Sequence, residues 1–258
     1  MRIASWNVNS AKARQEHILS YLSSGACDVL LIQETKTQDP NFPEDLYREI
    51  GWNVVYHGQK SYNGVAIASR HPLEDVHCGL PGDDEDEQAR YMEATVGDVR
   101  VATIYLPNGN PAPGPKFDFK LAWMDRLRSR AAHLLASEAP IVLGGDFNVI
   151  PQDIDCYDPA GWEGDALTRT DSRAAFFRIC NDGYADAIRS LHPTEVMYSY
   201  WDYQAGAWQK DNGVRIDHLL LSPEAADRLA GAGVDRGPRG LEKPSDHTPV
   251  WVELTAKP

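Results

Sequence analysis

Carboxylates, amides and one imidazole recur in this sequence where apolar runs begin or end. Asn7 and Asn9 close the first such run and Glu34 the second. Asp146 and Asn148 follow Ile141-Val142-Leu143-Gly144-Gly145, Asp217 lies in a late run, and Asp246-His247 precede the last. Strand ends converge on one edge of a sheet, so side chains this far apart in sequence can share one site. Taken singly, Asn, Asp and Gly at strand ends are also what turns require. Glu34 and Asp146 stand out. The run before Glu34 is too apolar for a bland surface charge, and Gly144-Gly145 permit close backbone approach beside Asp146. Oxygen-only donors suit a hard Mg²⁺, with Mn²⁺ able to substitute, whereas zinc calls for clustered His or Cys. An Asp beside such a metal can orient or deprotonate water, and an Asp–His pair can hold an imidazole against a phosphoryl oxygen. Phosphodiester hydrolysis needs these parts.

These residues need sheets to bring them together, and the apolar patterning supplies them. Alternating or continuous apolar runs predict strands over 3–8, 28–34, 54–57, 64–69, 73–80, 91–96, 99–106, 140–146, 214–221, 233–235 and 250–254. Gly97-Asp98 reads as a hairpin turn. Helical spacing predicts helices over 12–22, capped by Ser10, over 116–137 and over 171–180, with a short one after Pro223. A Pro-rich loop spans 107–115 and an irregular stretch 148–170. With no linker or repeat in view, one domain over 1–258 is expected. The interleaved hairpins favour a mixed sheet or two-sheet sandwich over a purely parallel sheet.

Composition narrows the class. An apolar fraction of 42% with seven Trp excludes intrinsic disorder. Four Cys, at 27, 78, 156 and 180, lack zinc-site spacing and read as thiols in a reducing compartment. The first residues lack a signal-peptide pattern and no apolar stretch is long enough to span a bilayer, so a soluble, cytoplasmic protein without a membrane partner is expected. A net charge of −13 argues at first against a phosphate-rich partner. However, binding depends on where charges lie, and five of the acids fall in one run over 83–87.

The segments WNVNS, LIQETK, YHGQK, PGDDE, IYLPNG, GGDFN, YSYWDY, GVRID and KPSDH follow one another in the order of the exonuclease III family, within the endonuclease/exonuclease/phosphatase superfamily. The resemblance spans nearly the whole chain. It implies an α/β four-layer sandwich, two mixed β-sheets face to face with helices outside. It also implies a Mg²⁺-dependent, monomeric DNA repair phosphodiesterase that incises 5′ to abasic sites and trims or cleans 3′ ends of double-stranded DNA. Carried over by motif, Glu34 is the principal metal ligand, with Asn7 and Asn9 as ligands or hydrogen-bond partners and Asp246 on the metal side. Asp146 activates water, Asn148 holds that water or the phosphate, Tyr105 contacts the phosphate, and Asp217 pairs with His247. The family leaves open whether His247 is a base or a phosphate clamp; the clamp, with Asp146 as base, is the reading taken here. Tyr200 and Trp201 match an aromatic pair lining the abasic-sugar pocket, and Val214 replaces a larger residue found in some relatives. Tyr200 stands where the best-known bacterial member has Trp, which puts base stacking in doubt. Arg90, Lys116, Lys120, Arg169, Arg173 and Lys210 are candidate phosphate contacts, with Lys36 and Lys60 near the metal edge. A phosphoinositide or sphingolipid phosphohydrolase shares the catalytic set but would want a membrane-binding segment. An inactive nucleic-acid-binding relative would have no use for clustered buried carboxylates.

Overall fold

The computed structural model describes residues 1–256 and contains two six-stranded mixed sheets. In chain order the strands are β1 (Arg2–Asn7), β2 (Val29–Gln33), β3 (Asn53–His57), β4 (Val65–Ser69), β5 (Glu74–Cys78), β6 (Tyr91–Val96), β7 (Val99–Tyr105), β8 (Ile141–Asp146), β9 (Ala185–Asp186), β10 (Asp217–Leu221), β11 (Leu229–Val234) and β12 (Val250–Leu254). One sheet runs β11-β12-β1-β2-β4-β3 and the other β5-β6-β7-β8-β10-β9. Among their named pairings only β1/β2 and β7/β8 are parallel. Strands β2, β4, β8 and β10 are buried along their whole length, which their unbroken apolar runs require of strands covered on both faces.

Helices α1 (Gln15–Ser23) and α2 (Glu44–Glu49) cover the outer face of the first sheet through Ile18, Leu22 and Tyr47, packed with Trp6, Leu30 and Ile32. The long α3 (Pro115–Leu135) and α4 (Thr170–Asn181) cover the second through Trp123, Leu127, Phe176 and Ile179. Between the sheets lies an apolar cluster that includes Ile3, Leu31, Val101, Val142, Leu219 and Val252. The result is four layers. Gly144 sets the spacing of the inner two: a Cβ there would stand 2.6 Å from Leu31 Cδ1 and 2.7 Å from Leu219 Cδ2.

Boundaries depart from expectation where side chains take over from periodicity. Helix α1 starts at Gln15, because Ser10 caps a separate turn by accepting from Arg14 N and Ala13 N. Helix α2 has only six residues, too few for a periodic signal. Strand β10 starts at Asp217: Arg215 is itself fully buried and turns instead to pair with Asp155 and the partly buried Asp186, each 2.7–2.8 Å away. Strand β11 starts at Leu229 and carries a register shift between Leu229 and Gly231.

Candidate active site

The carboxyl ends of the two parallel strand pairs face each other across the sandwich, and the amide of Asn7 joins them. Its Nδ2 donates to Glu34 Oε1 at 2.8 Å and to Asp146 Oδ2 at 3.0 Å. Asp146 ends β8 and is registered opposite Tyr105 on β7 and Asp217 on β10. Sheet pairing alone therefore places three of the expected residues side by side. His247 approaches from the segment before β12; its Nδ1 lies 2.8 Å from Asp217 Oδ2 and its Nε2 3.7 Å from Asp146 Oδ2. Ser199 Oγ donates to the same Asp217 oxygen at 2.7 Å and orients the carboxylate.

Backbone kinks turn the remaining side chains inward. Asn9, Glu34, Lys36 and Asn148 all have left-handed φ, from 46° to 53°. Asn adopts this region readily, but at Glu34 it carries strain of order 1–2 kcal/mol that surrounding contacts must offset. Asn148 is held on every side: its N donates to Asp146 Oδ1 (2.9 Å), its Nδ2 to Leu106 O (2.9 Å), and its Oδ1 accepts from Asn108 (3.0 Å). The resulting cleft, about 270 Å³, is lined by Glu34, Tyr105, Asn108, Asp146, Asn148, Asp246 and His247 on its polar side and by Trp162, Leu167, Tyr200 and Ile216 on its apolar side.

Burial and neighbouring charge set the protonation states. Burial, reinforced by Asp217 and only partly offset by His247, pushes Asp146 up to about 7. Burial opposes charge on His247, yet Asp217 and Asp146 overcome it and hold the imidazolium up to about 10. Glu34 is buried too, but Asn7 and Lys36 keep its carboxyl below the ordinary range. Burial and the carboxylates of Glu34 and Asp146 keep the Tyr105 phenol protonated.

The donors fit a hard cation. Lys36 Nζ already bridges Glu34 Oε2 (2.9 Å) and Asn9 Oδ1 (2.5 Å), so positive charge is attracted to this point. Asn9 in turn donates to Asp246 Oδ1 at 3.1 Å. Asp146 and Asp217 offer carboxylate oxygens beside the His247 ring, which as an imidazolium supplies charge and no metal ligand, and among the described residues Asp217 Oδ1 is buried without a hydrogen-bond partner. The Asn7 amide oxygen accepts from Asn9 N at 3.0 Å, so in this geometry Asn7 brackets the two carboxylates.

Some expected contacts lie elsewhere. Trp201 is fully buried against Tyr198 and Trp208, its Nε1 bonded to Asp211, so its ring cannot line a sugar pocket; the indole is too large and apolar to leave the core. Tyr200 does reach the cleft, its ring 4.9 Å edge-on from His247. Val214 is buried beneath it, pairing with Tyr200 through the backbone. Lys120 is fully buried and bonded to carbonyls, so it meets no phosphate. Arg173 is tied to Asp153 and Arg169 stacks on Phe117, both lining a separate recess. Arg90 keeps its place beside the cleft, 4.8 Å over the Tyr105 ring.

The sequence model of the endonuclease/exonuclease/phosphatase family matches residues 4–247. The chain belongs to that family. Exodeoxyribonuclease III of Haemophilus influenzae is 31% identical over 98% of this chain and 100% of its own length. Among solved structures, an AP endonuclease from Archaeoglobus fulgidus superposes with a TM-score of 0.96 at 35% identity, covering 99% of this chain and 100% of that one. The 3′ phosphatase NExo from Neisseria, bound to a product DNA hairpin, superposes at 0.97 with 39% identity, covering 99% and 100%. The two solved structures superpose on nearly the whole four-layer chain.

Sequence reasoning missed the apolar side of the cleft. Trp162 and Leu167, with the neighbouring acid Asp165, come from the irregular stretch, which offers no periodicity to read. Asn110 fixes that stretch by donating to both Asp165 oxygens at 3.1 Å and accepting from Ala166 N. Asn108 and Ile216 lay inside segments already singled out, IYLPNG and GVRID, and Ser199 inside YSYWDY.

Proposed function

We propose that this chain is a Mg²⁺-dependent DNA repair phosphodiesterase of exonuclease III type, acting on double-stranded DNA at abasic sites and at 3′ ends. The observation that carries the reading is the line Asp217–His247–Asp146–Asn7–Glu34 along one cleft edge, with a half-neutral base at its centre and a cation at its flank. Asp146, with its raised pKa, takes a proton from water near neutral pH, where a general base works best. Asn148 holds that water or the phosphate. His247, charged through physiological pH, clamps a non-bridging phosphoryl oxygen, and Asp217 fixes its ring. The Tyr105 phenol contacts the phosphate and donates to the departing oxygen. Glu34, with Asp246 across Asn9, would hold a divalent cation, which would supply further positive charge toward the phosphoryl group.

Charge placement supports a DNA partner in spite of the acidic total. A groove of about 500 Å³ lined by Lys12, Lys36 and Lys60 adjoins the cleft beside Glu34. A second, about 560 Å³, lined by Arg90 and Lys116, shares Asn108 and Asn110 with the cleft. The acidic run is turned onto α3, where Asp86 pairs with Arg126 at 2.8 Å. Basic surface at the cleft gives phosphate affinity that falls steeply with salt.

The test is a gel assay on three labelled duplexes, carrying an abasic site, a recessed 3′ end or a 3′-phosphate, with EDTA and then with added Mg²⁺ or Mn²⁺. Incision, nucleotide release and phosphate release are expected, lost in EDTA and restored by either ion. Inactivity on all three duplexes, or activity retained in chelator, refutes the reading.

A further inference from the structure

Lys120 stands on α3 with its side chain pointing into the protein beneath the cleft. Its ammonium donates to the carbonyls of Asn148 at 2.6 Å, Asn108 at 3.1 Å and Ala166 at 3.2 Å. An ammonium has three N–H donors, so the group is saturated by main-chain acceptors alone. Burial pulls its pKa down to about 7 against the pull of Asp146 and Asp165. The neighbouring chain makes room for it: a Cβ on Gly109, whose φ is +91°, would stand 2.7 Å from Lys120 Cδ.

The three carbonyls come from two connections: Asn108 from the loop after β7, and Asn148 and Ala166 from opposite ends of the stretch between β8 and α4. Both connections also line the cleft, through Asn108, Asn148 and Leu167. Asn108 and Asn148 are hydrogen-bonded to each other above the ammonium, Nδ2 to Oδ1, at 3.0 Å. The buried Lys120 amine, charged in about half of the molecules at neutral pH and in more below it, therefore lies at the common root of the two cleft amides. Charge-assisted hydrogen bonds are shorter and roughly twice as strong as neutral ones. At Asn108, Asn148 and Ala166 themselves the chain is neither helix nor strand.

We propose that Lys120 is a positioning residue of the reaction, its ammonium drawing the Asn108 and Asn148 carbonyls together so that the two amides meet the phosphate and the attacking water in one orientation. The proposal rests on the nuclease reading above. It differs from a purely structural role in acting through Asn148, and a double-mutant cycle separates the two.

The cycle compares the native protein, Lys120→Met, Asn148→Ala and the double variant on the 3′-phosphate and abasic duplexes with Mg²⁺, alongside thermal melting of each. Lys120→Met is expected to lower kcat about 10- to 100-fold with KM within about twofold, a loss confined to the transition state. Placed on Asn148→Ala, it is expected to cost less than about threefold more, because the group it positions is gone. Lys120→Gln, which keeps two donors, is expected to retain more kcat than Met; it replaces Met in the cycle if Met does not fold. A full further loss in the double variant, a change confined to KM, or native kcat in either Lys120 variant overturns the proposal. An inactive native protein would instead overturn the nuclease reading, so the two failures are distinct.

Discussion

Asp217→Asn tests whether the charge of His247 is what the site uses. In the native protein His247 is lifted from its ordinary 6.5 to about 10, with Asp217, 2.8 Å from Nδ1, the first of the groups that raise it. The lift corresponds to about 5 kcal/mol in favour of the imidazolium, at about 1.4 kcal/mol per pH unit. Asparagine keeps the shape and removes the charge, so burial regains ground and the pKa moves down toward the ordinary 6.5. At pH 8 the native ratio of imidazolium to imidazole is about 100 to 1, and for a full return to 6.5 it becomes about 1 to 30. At pH 5.5 both are mostly charged. If the charged ring clamps the phosphate, the ratio of variant to native kcat/KM falls about 30-fold between pH 5.5 and 8, beyond any constant loss from geometry. The sign for stability is the same: a raised folded-state pKa contributes stability fully present below pH 6.5 and lost as pH rises through about 10. The assay is 3′-phosphate release at saturating Mg²⁺ from pH 5.5 to 9, with ring titration of His247 by NMR. A variant-to-native ratio that stays flat across this range, with the NMR pKa lowered, refutes the clamp and leaves His247 a neutral role.

Asp146→Asn should lower abasic-site and 3′-phosphate turnover by about 10²–10⁴-fold, the usual worth of a general base, and near-native turnover would remove that assignment. Because the folded-state pKa of Asp146 is raised to about 7, its contribution is lost as pH rises from about 4 through 7; melting of the Asn variant should come closest to native at about pH 4 and lie above it by pH 8. Tyr200→Ala should reduce abasic-site incision more than 3′-phosphate release, since its ring walls the cleft; equal losses would count against a sugar pocket there. Trp201→Ala should cost about 3–5 kcal/mol of stability and leave the ratio of the two activities unchanged. A shifted ratio with native melting would return Trp201 to the pocket.

The strands that carry the site were legible because their signal is local. Residues 140–146 read as a buried strand ending in Asp146, and 28–34 as one ending near Glu34, and both strands lie where expected. The order of motifs from Trp6 to His247 was enough to name a family and its four layers. Which face a side chain takes within a motif was not legible. Tyr200 and Trp201 are neighbours of similar character, yet one reaches the cleft and the other fills the core, because successive extended residues point to opposite sides. Lys120 looked like any exposed helix lysine, since periodicity cannot distinguish a buried cation held by carbonyls from a solvated one. Likewise, the irregular stretch gave no sign that Trp162 and Leu167 would close the cleft.

By itself the sequence determined the residue types, the strands that end on them and the chemistry open to oxygen donors with one imidazole. Tertiary structure decided which of those groups is charged. The antiparallel register of β8 with β10 sets Asp217 opposite Asp146, and the return of the chain before β12 lays His247 against both. Burial then raises the energy of every unpaired charge, so the proton settles on His247, and Asp146 is left poised near neutrality. Such a distribution depends on distances between groups 30 to 101 residues apart in the chain, and only packing fixes those distances.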